Sequence, residues 1–282
     1  MEKLDAASFD ELLGNDPFVH QNGRSVVFDL TGVQFVAPSA LVQLAAACHA
    51  LARGGHKPKI AIDVDSVRSY VARAGFVSVI EDVAELEPFM SPLLYGSRRG
   101  ANPLLIEVTR IKSGYELPDL LDQIVWVLRN RLKYKKFDAF DVATAISEIC
   151  QNTFDHNQYT CGFLAMQVYG KGSRRFLEIG IADYGDGLAA TLARNPRNGV
   201  IHSDSAALEV ATRLGTSEHD DPTRGTGLHH LLELTYKHEG SVQIRSGAAK
   251  VRYRMDKRKG WFFSVPLMPG VQVALQLRSK AA

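Results

Sequence analysis

Residues 95–103, YGSRRGANP, constrain this chain more than any other stretch. They hold Gly96, Gly100 and Pro103 and show no apolar periodicity. Glycine and proline together interrupt both helix and strand, so the stretch reads as a joint. It divides 282 residues into two parts, close to the count that about 150 residues per domain suggests. The expected organisation is a domain over 1–95, a linker over 96–102 and a domain over 103–282.

The first part alternates strand and helix. Residues 25–30 (SVVFDL) and 59–64 (KIAIDV) are short β-branched runs that predict buried strands. Between them Leu41, Leu44, Ala45, Cys48 and Leu51 recur at helical spacing, and Gly54-Gly55 stops that helix. Asp65 or Ser66 is expected to cap a second helix that ends at Gly75. This order predicts an α/β layer.

The second part reads as an α+β or α/β sandwich, a mixed sheet with helices on one face. Strands are expected at 104–108, 162–169, 175–183, 241–245, 251–255, 261–265 and 271–277. Helices are expected near 117–132, from an Asp138 cap to about 157, and at 228–238. Residues 188–224 are polar and long for a connection without structure, which predicts a mobile functional loop. Trp126 and Trp261 read as core residues. His202, His219, His229, His230 and His238 read as surface or capping residues, and the basic run 252–259 reads as a solvated hairpin tip.

Composition excludes several classes. With 45% hydrophobic and 23% charged residues the chain is neither disordered nor fibrous. Its 33 cationic and 31 anionic side chains leave +2, too balanced to argue for nucleic acid. The start, MEKLDAASFDELL, does not resemble a secretory signal, and no stretch approaches 18 uninterrupted apolar residues, so no membrane span is expected. Three cysteines without a CxxC pair predict reduced thiols in a cytoplasmic protein, not a disulfide framework or a zinc site.

Three groups of residues carry chemistry. Glu148, Asn152 and His156 are spaced four apart and form one polar stripe on a helix whose other side holds Val142, Ala145, Ile146, Ile149 and Thr153. A carboxylate, an amide and an imidazole there supply a base, a metal-binding oxygen and a phosphate-facing donor. Asp183 continues the alternation of Leu177, Ile179 and Ile181, so it points into the core and needs donors: either a turn that it caps itself or an amino group of a bound heterocycle. Arg224-Gly225-Thr226-Gly227-Leu228 opens a helix, where backbone N–H groups and the helix dipole favour an anion. There is no GxxxxGK[ST]. Gly185-Asp186-Gly187-Leu188-Ala189-Ala190 fits G-x-G-x-x-A, but no acid-terminated strand follows about 20 residues on.

In order, these groups resemble the N box and two glycine boxes of the GHKL (histidine-kinase-like) ATPase superfamily, over roughly 103–282. The resemblance implies a Bergerat-type sandwich that binds ATP with Mg2+. It implies Glu148 as general base, Asn152 as Mg2+ ligand, His156 at the phosphates and Asp183 as acceptor from the adenine amino group. Gly185 and Gly187 would pass close to the base, Arg224, Gly225, Thr226, Gly227 and Leu228 would lie at the phosphates, and 188–224 would be a lid that includes Thr216 and Ser217. Where a late strand of that family often has a Thr, this chain has Val271. Residues 20–90 are similar to a STAS (anti-sigma-factor-antagonist) domain, with Ala37-Pro38-Ser39-Ala40 at the position of its Asp-Ser-Ser-Gly segment. Pro38 replaces the usual phospho-acceptor, and Ser39 is expected to cap the helix.

Two functions follow from the resemblance. One is a serine protein kinase or ATPase in an anti-sigma-type partner switch. The other is a non-catalytic, ATP-dependent binding switch with the STAS-like part as docking surface. A fold that binds nothing is the third reading, and the intact Glu148, Asn152 and Asp183 argue against it. The expected partners are a signalling protein and a second copy of the chain, with no membrane and no nucleic acid.

Overall fold

The computed structural model describes residues 1–14, 17–18, 25–90, 104–155, 161–213, 227–254 and 257–280. The 96–102 linker, His156, Thr216, Ser217, His219, Arg224, Gly225 and Thr226 lie outside the described residues. In chain order the first part contains β1 (Lys3–Leu4), α1 (Phe9–Leu13), β2 (Val27–Asp29), β3 (Phe35–Val36), α2 (Pro38–Arg53), β4 (Lys59–Ala61), α3 (Asp65–Arg73), α4 (Phe76–Ile80) and β5 (Glu85–Glu87). The second contains β6 (Leu105–Ile111), α5 (Leu117–Asn130), α6 (Lys136–Asp155), β7 (Gly162–Tyr169), β8 (Phe176–Asp183), α7 (Gly187–Ala193), α8 (Asp204–Ala211), α9 (Gly227–Lys237), β9 (Ser241–Arg254) and β10 (Lys257–Arg278).

In the first part β2, β4 and β5 form a parallel sheet, and β1 pairs in parallel with β3. Parallel neighbours need a crossover between them, and the helices supply it. Gly75, at φ +71°, makes the left-handed turn between α3 and α4. The α3 cap differs from expectation. Val64 is the N-cap and no side chain caps it, so Asp65 contributes only its charge in the first turn.

The second part is built on a five-stranded sheet of order β6-β7-β8-β10-β9. Every pairing in it is antiparallel, which corrects the mixed sheet expected from sequence. Two helices, α5 and α6, join β6 to β7, so the chain reverses once more than in a single-helix crossover. The four short strands expected after residue 240 are two long ones. Register shifts between Ser264 and Val271 mark where β10 is interrupted.

Helices α5, α6 and α9 cover one sheet face, with Ile124, Leu128, Val142, Ile146, Leu231 and Leu234 packed on Leu177, Ile179, Ile181, Val273 and Leu275. The opposite face is also covered, which corrects the one-sided layering. Phe163, Ala165, Ala182 and Met268 share a second cluster with Val42, Ala46 and the rest of the first part's core. Nearly every residue of α2 up to Leu51 is buried, because it packs between its own parallel sheet and the five-stranded one. Alanines at 45, 46 and 47 and the bare Gly180 permit the close approach, and a Cβ on Gly180 would lie 2.5 Å from Ser39 Cα.

Ser39 is not the cap of α2. Ala37 is the N-cap, and Ser39 is fully buried, its hydroxyl donating to Glu178 Oε1 at 2.6 Å. Glu178 also accepts from Gln276 Nε2 at 3.0 Å. Nearby, Asp10 of α1 pairs with both Arg245 and Lys250 of β9.

Residues 188–213 are more ordered than expected. They include most of α7 and all of α8, whose Leu192, Ala207, Leu208 and Ala211 enter the core, and Ser203 Oγ caps α8 by accepting the Ala206 N–H at 3.1 Å. Residues 214–226 lie outside the described set. Three further expectations are corrected. Trp126 is 41% exposed, with the Arg131 guanidinium over its ring. Trp261 is only half-buried. His238 is buried against Tyr134, and burial pushes its pKa down to about 4. Cys48, Cys150 and Cys161 are buried free thiols, and burial raises the pKa of each.

Candidate functional site

Helix α6 supplies Glu148 and Asn152. Its apolar side is as read from the sequence, with Val142, Ala145, Ile146, Ile149 and Thr153 all buried. Glu148 is half-buried and Asn152 exposed, so the stripe emerges from the core toward the helix C-terminus. The first residue of α9, Gly227, lies directly against Glu148. A Cβ there would come within 3.0 Å of Glu148 Oε2. Leu228, the next residue, is anchored in the core, which fixes the start of α9 beside the carboxylate.

Asp183 ends β8 and is 4% exposed. Its side chain follows the parity of Leu177, Ile179 and Ile181 onto the α6 side of the sheet. Its oxygens accept from backbone: Oδ1 from Gly185 N–H at 2.8 Å and Oδ2 from Val271 N–H at 3.3 Å. The self-capped turn is therefore the observed arrangement. Each oxygen keeps a second lone pair. Burial pushes the Asp183 carboxyl up to about 7, the two amide donors oppose this in part, and the Asp186 charge adds to it.

Neighbouring glycines shape the turn. Gly270, at φ +83°, sits so close that a Cβ would be 2.2 Å from the Asp183 carbonyl oxygen. Gly187, at φ +78°, opens α7, where Ser246 Oγ accepts the Leu188 N–H at 2.8 Å. From the other face, Gln272 Nε2 donates to the Asp183 carbonyl at 3.2 Å.

One contact links the stripe to the turn. Gly162 is the cross-strand partner of Asp183, and a Cβ on Gly162 would lie 2.3 Å from Thr153 Oγ1. Thr153 thus occupies the space that a side chain opposite Asp183 would take, and Asn152 precedes it on α6. The structure brings Glu148, Asn152, Asp183, Gly227 and Leu228 to one end of the sheet–helix layer, with Gly185 and Gly187 in the adjoining turn. Thr153, Gly162, Ser246 and Gln272 position this site and were not singled out for it in the sequence. Their types carry no chemical signal, and only their close approaches identify them.

The two parts meet at this turn. Tyr184 points to the opposite face from Asp183, where its ring stacks on His49 of α2 and on Phe163. Arg110 Nη2 lies 3.1 Å from His49 Nε2 and donates to the Val79 carbonyl at 2.9 Å. Burial, with the nearby Arg110 charge, lowers the His49 pKa, and the hydrogen bond to the Val79 carbonyl opposes this in part.

No family model matches the chain, and no curated protein matches it.

Proposed function

We propose that residues 103–282 bind Mg-ATP in the manner of histidine-kinase-like ATPases and that the STAS-like first part makes the chain a partner switch of the anti-sigma serine-kinase type. The observation that carries this reading is the buried Asp183 carboxylate on the α6 side of the sheet, opposite the bare Gly162 that Thr153 of α6 packs against. The layering of α5, α6 and α9 on one face supports a Bergerat-type arrangement.

The residues present suit the ligand. Asp183 has lone pairs for an amino-group donor, and a purine amine would offset its desolvation. Asn152 is exposed on α6 and offers a side-chain carbonyl oxygen suited to Mg2+. Glu148 would accept the proton of a serine hydroxyl or a water. Gly227 and Leu228, with Arg224, Gly225, Thr226 and His156, would face the phosphates. Bound Mg-ATP supplies a transferable phosphoryl group, and what the protein adds is position, a metal ligand and a base. Val271 contributes its N–H to Asp183 in place of the hydroxyl expected at that position.

The second reading is an ATP-dependent binding switch without turnover. The full burial of Ser39 favours it, because the helix start that resembles a phosphorylation segment is sealed against the sheet. Calorimetry with Mg-ATP and a phosphate-release assay on wild type and Glu148→Ala separate the two. Turnover in wild type that is lost in the variant, with binding kept, supports catalysis. Binding without turnover in either supports the switch. No binding removes both.

A further inference from the structure

We propose that a second site, a cleft of about 630 Å3 lined by Arg174, Arg175, Arg252, Arg254 and Arg278, binds a small ligand carrying several phosphate groups. It is distinct from the site at Asp183. Phe176 lines it, and Phe176 and Asp183 are opposite ends of β8, about 23 Å apart at ~3.3 Å per residue.

Charge is the first argument. In a chain whose charges nearly cancel, five arginines line one cleft with Glu239 as the only carboxylate among the described lining residues. Among the described residues Arg174, Arg175, Arg252 and Arg278 form no ion pair. Like charges gathered around one cleft repel one another, and a bound anion relieves the repulsion. Chemistry is the second. The guanidinium fork matches phosphate oxygens in pairs, and Ser173 and Ser241 also line the cleft. Arg175 is oriented in advance, its Nη1 donating to the Arg131 carbonyl at 3.1 Å.

Size is the third argument. The volume falls within the roughly 300–1,000 Å3 of small-molecule sites. A nucleic-acid surface would be an extended basic stripe on a chain of much higher net charge.

Calorimetry of the full chain with sodium tripolyphosphate, without Mg2+, tests the site. Expected are binding by wild type, a loss of about tenfold or more in Arg252→Ala and in Arg278→Ala, and no change in Asp183→Asn or Asn152→Ala. Both arginines are exposed, so equal melting temperatures will show that these variants fold. Absence of binding by wild type overturns the proposal. So does equal weakening by Asn152→Ala, which would place the anion at the α6 site. Tighter binding of citrate or of a single-stranded oligonucleotide also overturns it, in favour of a carboxylate or nucleic-acid ligand. Competition by pyrophosphate and by ATP without metal distinguishes an inorganic from a nucleotide source of the phosphates.

Discussion

The imidazole of His49 is stacked on the ring of Tyr184, with centroids 5.5 Å apart and planes within 27° of parallel. His49 belongs to the first part and Tyr184 follows Asp183, so α2 touches the backbone that holds the buried carboxylate. His49→Ala should therefore change ATP affinity although His49 lies on the other face of the sheet. A shift of about 0.5–2 kcal/mol, read by calorimetry, is expected for a coupling of this kind. Val67→Ala, a loss of core volume on α3, should leave affinity unchanged.

Asp183 gives a pH dependence with a definite sign. Its folded pKa of about 7 lies above the ordinary 3.8, so between these values the native state holds more protons than the unfolded chain. Stability should fall as pH rises from about 4 to about 7, by on the order of a few kcal/mol, and level off above. Asp183→Asn should flatten this slope in urea unfolding measured from pH 4 to pH 8. Because an amino donor favours the ionised carboxylate, wild-type ATP affinity should rise through pH 7. The same variant should weaken ATP binding by about 1.5–3 kcal/mol, since a charged acceptor is removed.

Gly180→Ala should lower stability by about 1–3 kcal/mol, because the added methyl meets the Val42 side chain and the backbone of Ser39, which cannot yield as a side chain could. Ser39→Ala should cost about 1–3 kcal/mol by leaving the buried Glu178 with Gln276 as its remaining side-chain donor. Ser39→Glu should prevent folding, since it buries a second carboxylate beside Glu178. Thermal melts followed by circular dichroism check all three.

Asp10→Ala removes the carboxylate shared by Arg245 and Lys250, which are 1% and 8% exposed. Breaking a buried pair in this way typically costs about 3–5 kcal/mol. The melting transition should move down as a single step, because α1 and β9 unfold together. A shift confined to a minor early phase would show that the two parts melt independently.

Where the pattern was local, the sequence was legible. Strand β7 falls at 162–169 as read, and the Leu41–Leu51 periodicity marked the centre of α2. That α2 is buried on both sides was also present in its composition, since from Leu41 to Ala52 Gln43 and His49 are the only polar interruptions and both are buried. Strand direction was not legible, because antiparallel pairing depends on how many times the chain reverses between strands. The α8 helix was hidden inside a polar stretch, although Ser203 was an available cap signal. At the candidate site the parity of Asp183 was readable. The Thr153–Gly162 and Glu148–Gly227 approaches were not, because each joins elements whose spacing only the packed helices define.

Because the second core cluster draws side chains from both parts, dividing the chain between 96 and 102 should yield no half that is stable alone. The 103–282 piece would present Phe163, Ala165, Ala182 and Met268 to water and should aggregate. Co-expressed, the two fragments should reassemble through α2, so that a split at the joint becomes a complementation pair whose recovery reports on the seal between helix and sheet.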